Sequence, residues 1–179
     1  MEPSPAVQQL SRSIRDVPDF PKPGIVFRDI TTLLRDPKLL HLALDEMVHL
    51  VESASLHVDR VVAIESRGFI LGAALADRLG VGFVPIRKPG KLPWRTVAAS
   101  YALEYGTDSI EMHADAVDAT DEVLIVDDLI ATGGTAAAAG ELVTRLGARV
   151  AAYLFLIELT ALSGRKRLAE SPVLSLIQF

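Results

Sequence analysis

Four consecutive branched apolar residues, Val123 to Val126, form the sharpest hydrophobic block in the chain. The block is too short for a helix, and its lack of alternation predicts a strand buried on both faces, as in a parallel sheet. Asp59 to Ile64, Phe83 to Ile86 and Arg149 to Glu158 read as further strands, the motif strand itself spanning Glu122 to Asp127. Between them the period lengthens to that of a helix. Asp36 can cap a helix whose first turn holds Pro37 and whose stripe is Leu40, Leu44, Met47 and Val51. Gly68 to Leu79, ending at Gly80, and Thr135 to Leu146 are two small-residue helices. Ala6 to Arg15 predicts a short amphipathic helix with Val7, Leu10 and Ile14 on one face, followed by an extended segment through Pro18, Pro21 and Pro23. Arg87 to Ser100 breaks the pattern and reads as an exposed loop. Tyr101 to Tyr105 and Ser109 to His113 suggest a hairpin turning at Gly106-Thr107-Asp108. Strands alternating with helices imply an α/β fold built on a parallel sheet.

A length of 179 residues suits one domain, with an amino-terminal arm over about 1–35 and a core over about 36–179. Half the residues are hydrophobic and 23% are charged, which is the balance of a globular chain. The net charge of −5 argues against a broad nucleic-acid surface, so a polyanionic ligand must be met by local cations. With no cysteine, disulfides, thiolate metal sites and thiol nucleophiles are excluded. No apolar run reaches the length of a membrane span and Met1 to Val17 has no apolar signal core, so the expected location is cytoplasmic.

The candidate chemistry starts where the first strand block ends. Asp127 and Asp128 put two repelling charges side by side, a pair suited to accepting hydrogen bonds from a vicinal diol. The next five residues, Ala131, Thr132, Gly133, Gly134 and Thr135, can turn backbone N–H groups inward at a helix start and form a phosphate cradle. A Walker A lysine and a G-x-G-x-x-G spacing are both missing. Diol acceptors beside a phosphate cradle match a ribose 5'-phosphate. Glu65-Ser66-Arg67-Gly68 is a second strand-end loop, where backbone N–H groups and the Arg67 guanidinium suit another phosphate. Arg87, Lys88, Lys91 and Arg95 add cations to a loop that can close and exclude water. Phe27 offers a ring for stacking, and backbone groups near Val26 and Arg28 can read the edge of a base. The four histidines have no metal-ligand spacing.

Val123 to Ala136 closely resembles the phosphoribosyl pyrophosphate signature of the type I phosphoribosyltransferases. Pro85-Ile-Arg-Lys88 through Lys91-Leu-Pro93, and Tyr101-Ala-Leu-Glu-Tyr-Gly106, resemble the adenine branch of that family, as do Phe20 to Ile30, Leu156 to Leu159, Gly164 to Arg167 and Ser175 to Gln178. The resemblance covers nearly the whole chain. It implies a type I phosphoribosyltransferase fold, a twisted parallel sheet flanked by helices, with a small hood and a mobile loop. It also implies transfer of 5-phosphoribosyl from phosphoribosyl pyrophosphate to adenine, giving AMP and pyrophosphate, with Mg²⁺ carried by the substrate rather than by a direct protein site. Ser66, Arg67, Arg87, Lys88, Lys91, Asp127, Asp128 and Ala131 to Thr135 would bind phosphoribosyl pyrophosphate; Val26, Phe27, Arg28 and Leu129 would bind adenine. Glu104 would assist the proton balance at adenine or order the closed loop. A strained Ser66–Arg67 peptide, with cis as one form of it, and a homodimer are further expectations, with no nucleic-acid or membrane partner. Trp94-Arg95 departs from the small or polar residues usual in that loop. Transfer to xanthine, hypoxanthine or orotate, and a regulator that senses phosphoribosyl pyrophosphate, are the alternative readings.

Overall fold

The computed structural model describes residues 3–103, 106–168 and 170–179. Helix α1 (Pro5–Ser13) opens with Ser4 accepting from the Val7 N–H at 3.2 Å and buries Leu10. Strands β1 (Arg15–Pro18) and β2 (Val26–Asp29) pair antiparallel into a small ribbon, the predicted hood, and a short α2 (Thr31–Leu34) leads into α3 (Pro37–Ser53). Asp36 caps α3 by accepting from Lys38 N at 2.9 Å and Leu39 N at 3.2 Å, so two orphan N–H groups are satisfied at once. β3 (Arg60–Ile64), α4 (Arg67–Leu79) and β4 (Gly82–Ile86) follow, with α4 ending on Gly80 at φ +69°. β5 (Thr96–Leu103) and β6 (Gly106–His113) form a hairpin outside the main sheet, and β7 (Glu122–Ile130), α5 (Gly134–Arg145), β8 (Arg149–Glu158) and β9 (Val173–Gln178) complete the chain.

The main sheet is parallel in the order β4-β3-β7-β8-β9. Its central strands are apolar on both faces, as the sequence block predicts. Val61, Ala63, Leu124 and Val126 pack with Leu44, Met47, Leu71 and Leu75 of α3 and α4; Val62, Ile64, Val123 and Ile125 pack with Ala139, Leu142 and Val143 of α5. Each large side chain of this kind stabilises the fold by roughly 1.5–3 kcal/mol when fully buried. Gly72 lets α4 lie close on β3, since a Cβ there would come 2.4 Å from that of Ala63.

Three expectations need correction. β7 runs on through Asp127 and Asp128 to Ile130, because Leu129 and Ile130 keep pairing with Ile157 and Glu158 of β8. The acids therefore lie within a strand. Residues 96–100 belong to β5 and residues 106–108 to β6, paired with residues 101–103, so the exposed loop is shorter and the hairpin does not turn at Gly106-Thr107-Asp108. The physical reason is burial: Ala99 and Ile110 are covered in the α5 layer. The cis peptide is Glu65–Ser66, one bond before the expected Ser66–Arg67, and Phe20–Pro21 is also cis.

The strand order also decides where a ligand can bind. β3 leads through α4 to β4 on one side, whereas its neighbour β7 leads through α5 to β8 on the other. That reversal opens a crevice at the carboxyl ends of β3 and β7.

Candidate active site

Two loops separated by more than sixty residues meet at this crevice. A cavity of about 380 Å³ is lined by Glu65, Ser66 and Arg67 after β3, by Asp127, Asp128 and Leu129 of β7, by Lys88, Tyr101 and Thr135, and by Ile64 and Ile110. A smaller one of about 100 Å³ is lined by Ala131 to Ala136 and shares Asp127, Leu129 and Thr135 with the first. The helices that start here differ from the other long ones. α1 and α3 are capped by side chains, but α4 starts at Ser66 and α5 at Gly133 without any side-chain cap. Their first N–H groups and the positive ends of their dipoles are left for an anion.

Between these two anion ends lie the acids. Burial first, and then the charge of Asp128, push the Asp127 carboxyl well above its ordinary value of 3.8; burial likewise raises Asp128, with the Arg67 charge opposing. Asp127 Oδ1 accepts from the Asp128 N–H at 2.9 Å. Arg67 brings Nε to 2.7 Å from Asp128 Oδ2, yet its N–H is not aimed along that line, and Oδ2 is buried without a hydrogen bond. A buried carboxylate oxygen in this condition favours an incoming hydroxyl. Gly68 permits the arrangement, because a Cβ there would lie 2.8 Å from Asp127 Oδ1 and 3.1 Å from the Val126 carbonyl.

The cations expected to meet a diphosphate are held by acids. Glu65 accepts from Arg87 Nε and Lys91 Nζ, both at 2.9 Å. Burial pulls the Glu65 carboxyl up, but the Lys91 and Arg87 hydrogen bonds outweigh it and leave it below the usual range. Lys88 pairs with Asp108 and reaches the Tyr101 hydroxyl at 3.3 Å. Arg87, Lys88 and Lys91 are thus already paired, so the loop is less positive than its sequence suggests. Glu65 and Tyr101 also line the cavity; the sequence places both within its motifs but assigns neither a role. The signal for Glu65 was an acid at a strand end some twenty residues before a run of cations.

The hood contributes unevenly. Arg67 Cζ lies 5.1 Å from the centre of the Phe27 ring, and Phe20 meets that ring edge-on with centroids 5.2 Å apart. Arg67 thus spans from Phe27 to Asp128, which places Phe27 at the rim of the crevice. Val26 is exposed. The Arg28 side chain turns elsewhere: it pairs with Asp16 and stacks 3.9 Å from the Phe179 ring centre, so only its backbone is left for base recognition. Glu104 lies outside the described residues. Among the described residues, no cluster of three His, Cys, Asp or Glu side chains could hold a metal, and no helix is long and apolar enough to cross a membrane.

Residues 29–173 match the phosphoribosyl transferase domain family. An adenine phosphoribosyltransferase of Picosynechococcus is 55% identical over 170 residues, covering 95% of this chain and 99% of that protein. The crystal structure of adenine phosphoribosyltransferase from Thermoanaerobacter pseudethanolicus superposes with a TM-score of 0.94 at 50% identity, covering 97% of this chain and 99% of that one. The enzyme from Saccharomyces cerevisiae, complexed with D-2,5-dideoxy-2,5-imino-altritol 1,6-bisphosphate and adenine, gives a TM-score of 0.91 at 45% identity, covering 96% and 98%. With uncapped helices at two adjoining strand ends, an acid pair between them and these relatives spanning almost its full length, the chain belongs to the phosphoribosyltransferase family and, within it, to the adenine phosphoribosyltransferases.

Proposed function

We propose that this crevice transfers a 5-phosphoribosyl group from phosphoribosyl pyrophosphate to adenine, giving AMP and pyrophosphate, the reaction of purine salvage. The observation that carries the reading is the pair of uncapped helix N-termini at the ends of β3 and β7, with Asp127 and Asp128 between them. A substrate with phosphates at both ends and a diol between fits that spacing of chemistry. The yeast relative's complex with a bisphosphate and adenine agrees with it.

In this reading Ala131 to Thr135 hold the 5'-phosphate, the acids hold the ribose hydroxyls, and Ser66, Arg67, Arg87, Lys88 and Lys91 face the diphosphate. As the C1'–O bond breaks, its electron pair goes to the diphosphate while positive charge grows on the ribose ring. The cations stabilise the first and the two carboxylates the second, in a site whose groups are already oriented. Adenine N9 forms the new bond to C1' and loses its proton. Phe27 stacks the base, Leu129 walls the slot, and the backbone at Val26 and Arg28 reads its edge. Mg²⁺ fits as a cation bound chiefly by substrate phosphates, since it usually takes only one or two carboxylates from a protein; it supplies charge neutralisation of the diphosphate. Phosphoribosyl pyrophosphate is a multiply charged anion that does not cross a bilayer unaided, which suits a cytoplasmic enzyme. The exposed Ile70 of α4 and Phe83 of the edge strand β4 offer an apolar surface for a second copy, so a homodimer is expected, checked by the solution mass.

A coupled assay of pyrophosphate release tests the reading. Release is expected with adenine and Mg²⁺, and is expected to fall away with xanthine, hypoxanthine or orotate and when Mg²⁺ is chelated. No release with any base would leave the sensing regulator in its place. In the same assay Glu104→Ala is expected to lower turnover by ~10²-fold or more if Glu104 is a general acid or base; near-normal turnover would limit it to ordering the loop.

A further inference from the structure

The phosphate loop leans on a segment that lines neither cavity. Gly164 opens a 3-10 turn, Gly164–Leu168, and its backbone lies directly against the loop. A Cβ on Gly133 would come 2.5 Å from the Gly164 carbonyl oxygen, and a Cβ on Gly164 would come 2.2 Å from that of Ala131 and 2.9 Å from Gly133 N. The two backbones are in contact with no side chain between them, so the position of one dictates that of the other.

The turn is in turn held by the residue after Gly164. Arg165 donates through Nε to Glu158 Oε1 at 3.0 Å and through Nη2 to Oε2 at 2.5 Å, while Nη1 reaches the Val173 carbonyl at 2.7 Å. Ser175 Oγ adds a second donor to Oε2 at 2.5 Å. Glu158 is buried at the end of β8, opposite Ile130, the residue just before the loop. The next residue donates from Leu159 N to the Ile130 carbonyl at 3.0 Å. A buried carboxylate is costly to the fold unless paired, and an apolar residue would fill the space at less cost; what the forked Arg–carboxylate pair adds is direction. The Arg165 hydrogen bonds also keep the Glu158 carboxyl below its ordinary range, so the pair stays charged at neutral pH.

We infer that Arg165, Glu158 and Ser175 are positioning residues for the phosphoribosyl substrate: they brace Gly164 against Ala131 and Gly133 and so set the shape of the loop that receives the 5'-phosphate. The inference rests on the assignment of Ala131 to Thr135 to that phosphate. The brace side chains bond neither the diphosphate cations nor the hood; Glu158 meets the hood's neighbour Phe179 through its backbone carbonyl, at 2.9 Å from Phe179 N, a contact that removal of the Arg165 side chain leaves in place, so its loss acts on phosphoribosyl pyrophosphate far more than on adenine.

Steady-state kinetics with each substrate varied in turn, together with thermal melts, test this. Arg165→Ala is expected to raise the KM for phosphoribosyl pyrophosphate by about 10–100-fold, since displacing a positioned group by about 1 Å costs on the order of 10². The KM for adenine is expected to stay within about twofold, and guanidinium in the buffer to restore part of the loss. Arg165→Lys, which cannot make the forked contact, recovers little. Equal changes in both KM values that track a fall in Tm, or no change in the phosphoribosyl pyrophosphate KM, would overturn the brace. Should Arg165→Ala fail to fold, the isosteric Glu158→Gln gives the same reading, with a smaller rise in the same KM expected and its absence counting against the inference. Thr135→Val separates the two assignments. If it leaves that KM unchanged, the loop does not hold the 5'-phosphate and both fall; if it raises the KM while Arg165→Ala does not, only the brace falls.

Discussion

Asp127→Asn and Asp128→Asn are each expected to lower kcat/KM by roughly 10²–10³-fold, the usual loss when one preorganised electrostatic partner of a developing charge is removed, and yet to melt higher than the parent at pH 7. The two effects share a cause. Each Asn keeps the shape of the side chain but not the negative charge that favours a cationic ribose. The same charges oppose the empty fold, since both carboxyls are raised on folding by burial, and Asp127 also by its neighbour's charge. A carboxyl raised on folding holds its proton more firmly in the folded chain than in the unfolded one. Stability from that source is complete below the ordinary value of 3.8 and is lost as the pH climbs through the raised value. At pH 7 the pair therefore works against the fold, and Asn relieves it, with about 2–4 °C in Tm for each kcal/mol recovered in a chain of this size. The gain should shrink between pH 7 and pH 5. Rates with both substrates and melts at the two pH values are the measurements, and a variant that keeps turnover within about threefold, or whose gain in Tm grows in acid, would count against this account of the pair.

Gly133→Ala carries the second large effect. Gly133 sits at φ +79° at the start of α5, a backbone conformation that costs an alanine roughly 1–2 kcal/mol. The added methyl would also meet the Gly164 carbonyl oxygen at 2.5 Å, a contact with backbone on both sides that neither partner can relieve by rotating a side chain. Relief requires the loop to move. Affinity for phosphoribosyl pyrophosphate is expected to fall by ~10²-fold or more, with Tm lowered as well. Gly80→Ala is the comparison: Gly80 is also left-handed, at φ +69°, but a Cβ there meets nothing within 4 Å. That variant should lose only the local backbone term and leave the substrate KM unchanged. If the two variants bind phosphoribosyl pyrophosphate equally well, the close approach at Gly133 does not shape the cradle.

The parts legible in the sequence were those governed by local chemistry. The Asp36-Pro37 start of α3, the Gly80 end of α4 and the limits of β8 follow from capping residues and apolar runs, and they appear where the pattern puts them. What escaped depended on pairing with distant residues. β9 is an edge strand that exists through its ladder with β8, and no local period announces it. The hairpin of β5 and β6 starts earlier than its turn chemistry suggests, because α5 buries Ala99 and Ile110 against it. Among the site residues, Arg28 shows the limit most clearly: its place in the hood segment was legible, whereas the direction of its side chain was set by Asp16 and Phe179.

The sequence by itself determined the chemistry available: paired acids, a glycine-rich cradle, a second anion loop and a cationic segment, each encoded within a few consecutive residues. Only the tertiary structure decided how these are combined. The order β4-β3-β7-β8-β9 makes β3 and β7 neighbours, so that two uncapped helix ends and the acids between them face one crevice. It also set the electrostatics, giving Arg87 and Lys91 to Glu65 and Lys88 to Asp108, and leaving Asp128 Oδ2 buried without a hydrogen bond. The reason is physical: capping, turn and strand preferences act over a few bonds, whereas burial and charge pairing depend on distances through space that only the folded chain fixes.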